Sequence, residues 1–127
     1  VQKQKYFYID SDSRIDSFMS DGSSSPETLK SSIPTKSLAE QMLIFTQLIT
    51  MRERYREIEK LNNPELGYID WYSANQGKHC VCLENNILSF NYFHIYSLTF
   101  SFQLEETRDE FAKNFGDMIL QCKDILG

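Results

Sequence analysis

Residues 37–64 read SLAEQMLIFTQLITMRERYREIEKLNNP, and this segment decides the fold. Its apolar residues recur at the spacing of one face of a helix, at Leu38, Met42, Phe45, Leu48, Ile49, Tyr55 and Ile58. The pattern stops at Asn62, Asn63 and Pro64. The segment therefore predicts a helix roughly 35 Å long, at a rise of about 1.5 Å per residue.

The ends of this helix carry their own signals. Thr35 or Ser37 is the predicted N-cap, and Ser37 with Glu40 fits a capping box, in which each side chain bonds the other residue's backbone N–H. From Arg52 to Lys60 the charge sign alternates, so this last third is expected to project into solvent.

A second helix is predicted from about Glu105 to Leu126. Glu105 and Glu106 lie near its start, where the helix dipole favours negative charge. Its apolar stripe comprises Phe111, Phe115, Met118, Ile119, Cys122 and Ile125. We expect Phe45 of the first helix and Phe115 of the second to be largely buried against a sheet.

The other segments have strand patterns. Tyr6 to Ile9 and Arg14 to Met19, joined by a polar turn, predict a hairpin. Lys78 to Leu83 predicts a strand, followed by a two-residue turn at Asn85-Asn86, because asparagine tolerates positive φ. From Leu88 to Gln103 mostly apolar even positions alternate with mostly polar odd ones, which predicts one buried face, one solvated face and a turn near residues 93–97.

These elements predict an α+β fold in which two long helices pack on one face of an antiparallel sheet of about four to six strands. The chain length fits a single domain, residues 1–127, with a mobile serine-rich surface loop at residues 20–34. The net charge of −5 argues against a general nucleic-acid binder. No apolar run approaches the roughly 20 residues that span a bilayer, and three cysteines do not form a disulfide framework. We therefore expect a cytoplasmic protein that does not bind a membrane.

Residues with metal-binding or nucleophilic side chains do not form a recognisable site. His79, Cys80, Cys82 and His94 lack the spacing of common zinc sites, and a strand would place Cys80 and Cys82 on the face opposite His79. Small buried cysteines are the simpler interpretation. A cysteine nucleophile with a histidine base is also disfavoured, because nothing local activates either thiol.

The acidic N-terminal turn resembles the start of a calcium-binding loop. Asp10, Asp12 and Asp16 have suitable spacing, but Arg14 and Ile15 stand where an EF-hand needs an oxygen ligand and a glycine. No glycine-rich phosphate loop or catalytic motif is present in the sequence. We therefore expect no enzyme activity, no cofactor and no metal.

Aromatic residues are abundant, with nine Phe, seven Tyr and one Trp. Most fall on the apolar phase of strands and helices, but four do not fit the predicted core. The possible interface residues are these four, Tyr8, Trp71, Tyr72 and Phe93, together with Arg52, Arg54 and Arg56. Exposed together, such side chains mark a protein interface or a surface on which single-stranded bases stack.

Four stretches occur in a familiar order: KYFYIDSDSRID, IPTKSLAEQMLIFTQLITMRERY, IDWYSANQGKHCVCL and LTFSFQLEETRDEFAKNFGDMILQCKDIL. This order, over nearly the whole chain, resembles a group of uncharacterised small prophage and mobile-element proteins of anaerobic gut bacteria. The resemblance implies a phage or mobile-element origin and a cytoplasmic setting, and it implies no mechanism.

The leading hypothesis is a non-enzymatic phage or mobile-element accessory protein that acts by protein–protein binding. Its partner is an unknown protein or a second copy of itself, for which the long helix and an exposed sheet edge are the expected surfaces. The alternative is a single-stranded nucleic-acid-binding protein that uses exposed aromatic residues. A small hydrolase or metal enzyme is the third and weakest hypothesis.

Overall fold

A computed structural model of the chain describes residues 3–20, 32–94 and 100–126. This part of the chain confirms the α+β fold, with two antiparallel sheets and two long helices packed on the larger sheet. The elements are β1 (Gln4–Ile9), β2 (Ile15–Ser20), α1 (Lys36–Asn62), a 3₁₀ turn (Pro64–Leu66), β3 (Lys78–Glu84), β4 (Ile87–Phe93), β5 (Phe100–Phe102), α2 (Glu105–Gln121) and α3 (Lys123–Leu126). None of the helices in the described ranges is long and apolar enough to cross a membrane.

The predicted N-terminal hairpin is confirmed, because β1 and β2 pair in antiparallel register. One carboxylate oxygen of Asp10 accepts hydrogen bonds from the backbone N–H groups of Asp12 and Arg14, both at 2.9 Å. Ser13 adopts a positive φ of 60° within the same turn. Asp10 therefore shapes the turn, as aspartate side chains commonly do.

The predicted loop at residues 20–34 is shorter at both ends. Ser20 is the buried last residue of β2, and Ile33 is buried where it bridges to Phe7. Phe7 and Ile33 exchange two backbone hydrogen bonds of 2.7 Å, so β1 fixes the chain just before α1. Residues 21–31, which hold most of the predicted mobile loop, lie outside the described residues.

The larger sheet has the strand order β4-β3-β5, and both outer strands run antiparallel to β3. The turn between β3 and β4 is the predicted two-residue turn, with φ of 53° at Asn85 and 63° at Asn86. The long alternating segment divides at Phe93, and its second part becomes β5 on the opposite side of β3. Most of the predicted turn lies in residues 95–99, outside the described ranges.

The core lies between the two long helices and the larger sheet. Phe111 is fully buried at its centre, with its ring centroid 5.1 Å from that of Phe102 and 5.4 Å from that of Phe100. Phe45 and Phe115 were predicted to be largely buried, but both are only partly buried at the margin of this cluster. The centre of the core is therefore one helical turn before Phe115.

Two residues of the predicted α1 stripe, Met42 and Ile58, are exposed. At about 1.5 Å per residue the 27-residue helix is roughly 40 Å long, which exceeds the length of the three- to seven-residue strands of the larger sheet. Its stripe is therefore buried only where strands and α2 lie beneath it. Two expected core positions of β4, Phe90 and Tyr92, are also about half exposed. They lie on the helix-facing side of the sheet, at an edge that the helices do not fully cover.

The N-cap of α1 is Thr35, whose Oγ1 accepts a 3.1 Å hydrogen bond from the N–H of Leu38. The predicted capping box is wrong, because Ser37 is already inside the helix and its Oγ accepts a bond from the Gln41 amide. Thr35 has the extended backbone that an N-cap requires.

The second helix ends earlier than predicted. α2 stops at Gln121, and α3 begins after Cys122. The buried amide of Gln41 explains the break: it donates to the carboxylate of Asp124 at 2.7 Å and accepts from its N–H at 3.0 Å. This long-range contact fixes the last turn against α1.

Candidate functional site

A pocket of about 530 Å³ opens beside the C-terminal half of α1. One wall is formed by Glu53 to Lys60 of the helix, and the opposite wall by the returning segment Gly67–Tyr72. Gly67 has a φ of +70°, a backbone conformation that glycine adopts without strain, and it reverses the chain after the 3₁₀ turn. The reversal places Trp71 and Tyr72 beside Arg56 of the helix.

Arg56 holds the walls of this pocket together. Its guanidinium carbon lies 3.5 Å from the centroid of the Trp71 ring, in cation–π contact. Its Nε and Nη2 donate to the backbone carbonyl and the hydroxyl of Ser101 on β5, at 2.9 and 2.8 Å. Its Nη1 pairs with Glu53 at 3.2 Å. The last third of α1 is therefore anchored to the sheet, contrary to the expectation that it projects into solvent.

Arg56 stays positively charged although its side chain is partly buried. Burial, together with the neighbouring positive charge of Arg52, lowers the pKa of the guanidinium to about 10, while the carboxylates of Glu53 and Glu59 act in the opposite direction. The group is still protonated near neutral pH. Its donors are engaged by Ser101 and Glu53, so Arg56 acts first as a structural bridge.

Glu59 is a second structural element of the site. Its side chain is buried, and its two carboxylate oxygens accept hydrogen bonds from the N–H groups of Gln103 and Leu104, at 3.1 and 3.0 Å. Leu104 is the N-cap of α2 and has no side chain that could cap the helix. Glu59 therefore binds the entry to α2 from the neighbouring helix, a role that its position in a charged run of sequence did not reveal.

Large apolar side chains surround the pocket. Tyr68 and Tyr72 line it and are 78% and 67% exposed. Ile58, also more than half exposed, lines a second pocket of about 510 Å³, and Leu61 lines a third. The first pocket shares Glu57 and Lys60 with the third and the buried Glu59 with the second, so the three pockets lie around the C-terminal half of α1. We call this region the α1 C-terminal surface and define it by Ile58, Leu61, Tyr68, Trp71 and Tyr72.

Carboxylates outnumber cations along this surface. The charged residues lining the first pocket are Glu53, Glu57, Glu59 and Asp70 against Arg56 and Lys60. The second pocket is lined by Glu59, Glu106 and Glu110, with no lysine or arginine among its lining residues. A negative surface of this kind attracts cationic groups and opposes phosphates.

The structure brings together some of the predicted interface residues and separates the others. Trp71, Tyr72 and Arg56 meet at the first pocket, and Arg52 lies close enough to influence the Arg56 charge. Arg52 itself pairs with Glu53 at 2.8 Å.

The remaining predicted interface residues do not line these pockets. Tyr8 lies on β1 beside Phe18, with ring centroids 6.1 Å apart, and the nearby Asp16 carboxylate raises its pKa. Phe93 is the last residue of β4, and Arg54 is exposed elsewhere on α1.

The cysteines have a structural environment. Cys80 and Cys122 are buried cysteines, and Cys82 is a partly buried one. Burial raises the pKa of Cys82 and of Cys122, which disfavours the reactive thiolate. In β3 the ring of His79 faces Tyr92, while Cys82 contacts Asn91 on the opposite face of the sheet. Within the described ranges no group of three or more His, Cys, Asp or Glu residues could hold a metal ion.

Comparisons of the chain with protein-family models, with curated proteins and with solved structures give no match. The resemblance to small prophage proteins therefore stays a prediction from the sequence. The function must be inferred from the α1 C-terminal surface itself.

Proposed function

We propose that this chain is a non-enzymatic protein-binding domain and that it binds its partner through the α1 C-terminal surface. The observation that supports this proposal is the group of exposed apolar side chains around the C-terminal half of α1 and the pocket at Trp71 and Tyr72. Contiguous exposed apolar patches mark interaction sites, and Trp and Tyr are enriched among the residues that contribute most to binding.

The walls of the site are held in place before any partner arrives. Arg56 links α1 to Trp71 and to β5, and Glu59 links α1 to the start of α2. A preformed surface loses less conformational entropy on binding than a mobile one, so more of its contact energy contributes to affinity.

The charges of the surface define the chemistry of the partner. Its pockets are apolar at Ile58, Tyr68 and Tyr72 and are ringed mainly by carboxylates. The complementary partner is a protein segment with an apolar or aromatic anchor flanked by lysine or arginine. Following the sequence resemblance, we propose that the domain is a cytoplasmic accessory protein of a phage or mobile element.

Single-stranded nucleic acid is the alternative ligand, since Trp71 and Tyr72 lie near Arg52 and Arg56. Two features favour a protein partner instead: the donors of Arg56 are already bonded within the domain, and the adjoining walls carry excess carboxylates. Binding of nucleic acid would weaken steeply with salt, because contacts to phosphates release counterions.

Site-specific photo-crosslinking tests the proposal. In cells that naturally produce the protein, we would replace Tyr72 with the photo-crosslinking amino acid benzoylphenylalanine. Met19, an exposed residue of β2, serves as the control position. We expect a discrete adduct from the Tyr72 position that is removed by protease, survives nuclease treatment and is absent from the Met19 position. An adduct removed by nuclease, or equal adducts from both positions, would contradict the proposal.

A binding titration separates the two ligands in solution. Trp71 is the single tryptophan of the chain and lines the pocket, so its emission reports occupancy. Labelled single-stranded DNA should show no saturable anisotropy change at low or moderate salt. Saturable binding that weakens with salt and disappears in Trp71→Ala would favour the nucleic-acid alternative.

A further inference from the structure

The outer edge of β4 is the second feature of the molecule that is suited to binding. β4 lies at the end of the three-stranded sheet and, among the described residues, forms strand pairs with β3 only. Its seven residues, ILSFNYF, include no charged residue and no proline. Ile87 is 69% exposed, Phe90 49% and Tyr92 55%.

Edge strands normally carry features that prevent pairing with other chains. Lysine, proline, bulges and short length are the usual ones. β4 pairs with β3 in unbroken register from Ile87 to Phe93, so no bulge twists this edge away. The strand is therefore long, regular and uncharged at an exposed edge.

The register also shows which backbone groups face outward. The two-residue turn at Asn85 and Asn86 makes Glu84 and Ile87 a hydrogen-bonded closing pair. Antiparallel pairs alternate between bonded and non-bonded, so the backbone N–H and C=O groups of Leu88, Phe90 and Tyr92 point away from β3. These groups form a ladder that can accept another strand.

We infer that this edge binds β4 of a second copy of the chain, antiparallel about a two-fold axis at Phe90. In this register Phe90 faces its own counterpart, Leu88 faces Tyr92, and Ile87 faces Phe93. Ser89 then faces Asn91, so apolar residues meet apolar residues and polar residues meet polar ones. Because the strand is uncharged, no like charges oppose each other, and the two sheets join into one of six strands.

Helix α2, which packs over β4, is compatible with the pairing of a second copy along this strand. Arg108 of α2 holds its guanidinium 5.3 Å from the centroid of the Phe90 ring. The guanidinium pairs with Glu105 at 3.4 Å and with Asp109 at 3.0 Å, so its positive charge is balanced within each copy. Repulsion between the two copies of Arg108 is therefore reduced.

The size of the contact predicts a dimer of moderate strength. An aromatic side chain buries roughly 150–250 Å² in full, and four half-exposed rings from the two copies meet at this edge. Being half exposed, the four rings contribute roughly 300–500 Å². Ile87 and the strand backbone add to this, so the buried area falls below the roughly 1,200 Å² at which standard-size interfaces begin. We expect dissociation on the order of micromolar concentrations.

The dimer surface is separate from the α1 C-terminal surface, since no β4 residue lines its three pockets. A variant on one surface should therefore leave the other intact. Tyr68, an exposed aromatic of the α1 C-terminal surface, supplies the matched control for substitutions in β4.

Sedimentation velocity over a concentration series tests the inference. The wild-type chain should shift from monomer to dimer, whereas Phe90→Lys and Ile87→Lys should each weaken the dimer at least tenfold. Tyr68→Lys should leave it unchanged. Ile87 has little core contact, so its variant stays informative if Phe90→Lys misfolds, and circular dichroism checks both. A monomeric wild-type chain at all concentrations, or a dimer retained in a folded Ile87→Lys variant, would overturn the inference.

A disulfide cross-link tests the register. Across a bonded antiparallel pair the two Cα atoms lie about 5.5 Å apart, which a disulfide can bridge. Phe90→Cys should give a covalent dimer on mild oxidation beyond the level seen with the three native thiols. Tyr68→Cys should not. Equal cross-linking of the two variants would exclude pairing at Phe90.

Discussion

Replacing Glu59 should weaken the fold, because its side chain joins α1 to the start of α2. Its buried carboxylate accepts two backbone hydrogen bonds, from Gln103 and Leu104, at the entry to α2. A hydrogen bond to a charged group contributes about 1.5–3 kcal/mol, and its loss leaves a donor unsatisfied. Glu59 also lines two pockets, so water can partly replace the lost acceptor. We therefore expect Glu59→Ala to lower the free energy of unfolding by about 3 kcal/mol.

A neutral substitution at Glu59 and a neighbouring control sharpen this prediction. Glu59→Gln keeps one acceptor oxygen without the charge, so we expect a loss of roughly half as much, about 1.5 kcal/mol. Glu57→Gln removes an exposed carboxylate from the same helix and should change stability by less than about 0.5 kcal/mol.

Urea unfolding provides the measurement for all three variants. It can be followed by circular dichroism and by Trp71 emission, and ΔG in water and the slope m come from linear extrapolation. If Glu59→Ala costs less than about 1 kcal/mol at unchanged m, the two hydrogen bonds do not hold α2 as we argue. A loss equal to that of Glu57→Gln would have the same meaning.

Two further predictions concern the core and the thiols. Phe111→Ala should lower the free energy of unfolding by roughly 3–5 kcal/mol, whereas Phe115→Ala, at a partly buried position, should cost clearly less. Equal losses in urea would contradict this ordering. At pH 8 a thiol reagent should count three cysteines in the unfolded chain. In the folded protein Cys80 and Cys122 should react slowly because they are buried. Cys82 should also react slowly, because its raised pKa leaves less of the reactive thiolate. Rapid reaction of all three, or one zinc per chain by elemental analysis, would contradict their structural role.

Elements with local signals were predictable. The aromatic and β-branched run of β1, the asparagine pair before β4 and the apolar spacing of α1 and α2 each depend on residues within a few positions of one another. The N-cap of α1 shows what such local signals leave undecided. Thr35 and Ser37 were both candidates, and only the backbone conformation at Thr35 selects it as the N-cap.

Only some residues of the candidate site were named from the sequence, and their assembly was not predicted. Trp71 and Tyr72 stood out because the predicted core left no place for them, and Arg56 was added as a basic residue of a possible nucleic-acid surface. Their contact depends on the reversal at Gly67 and on the bonds from Arg56 to Ser101, 45 residues further along the chain. Glu59 carried no sequence signal, because a carboxylate in an alternating charged run is usually solvated.

The sequence by itself determined the α+β class, the order of helices and strands and the phase of each apolar stripe, since these depend on short-range periodicity and turn chemistry. The tertiary structure alone decided which part of each stripe is covered. Phe90 and Tyr92 have the same phase as the buried Phe100 and Phe102, yet they are half exposed. β4 and β5 are both outer strands, but α1 and α2 both pack on β5, whereas β4 packs mainly against α2. Burial therefore depends on which elements pack above a strand and not on the residues within it.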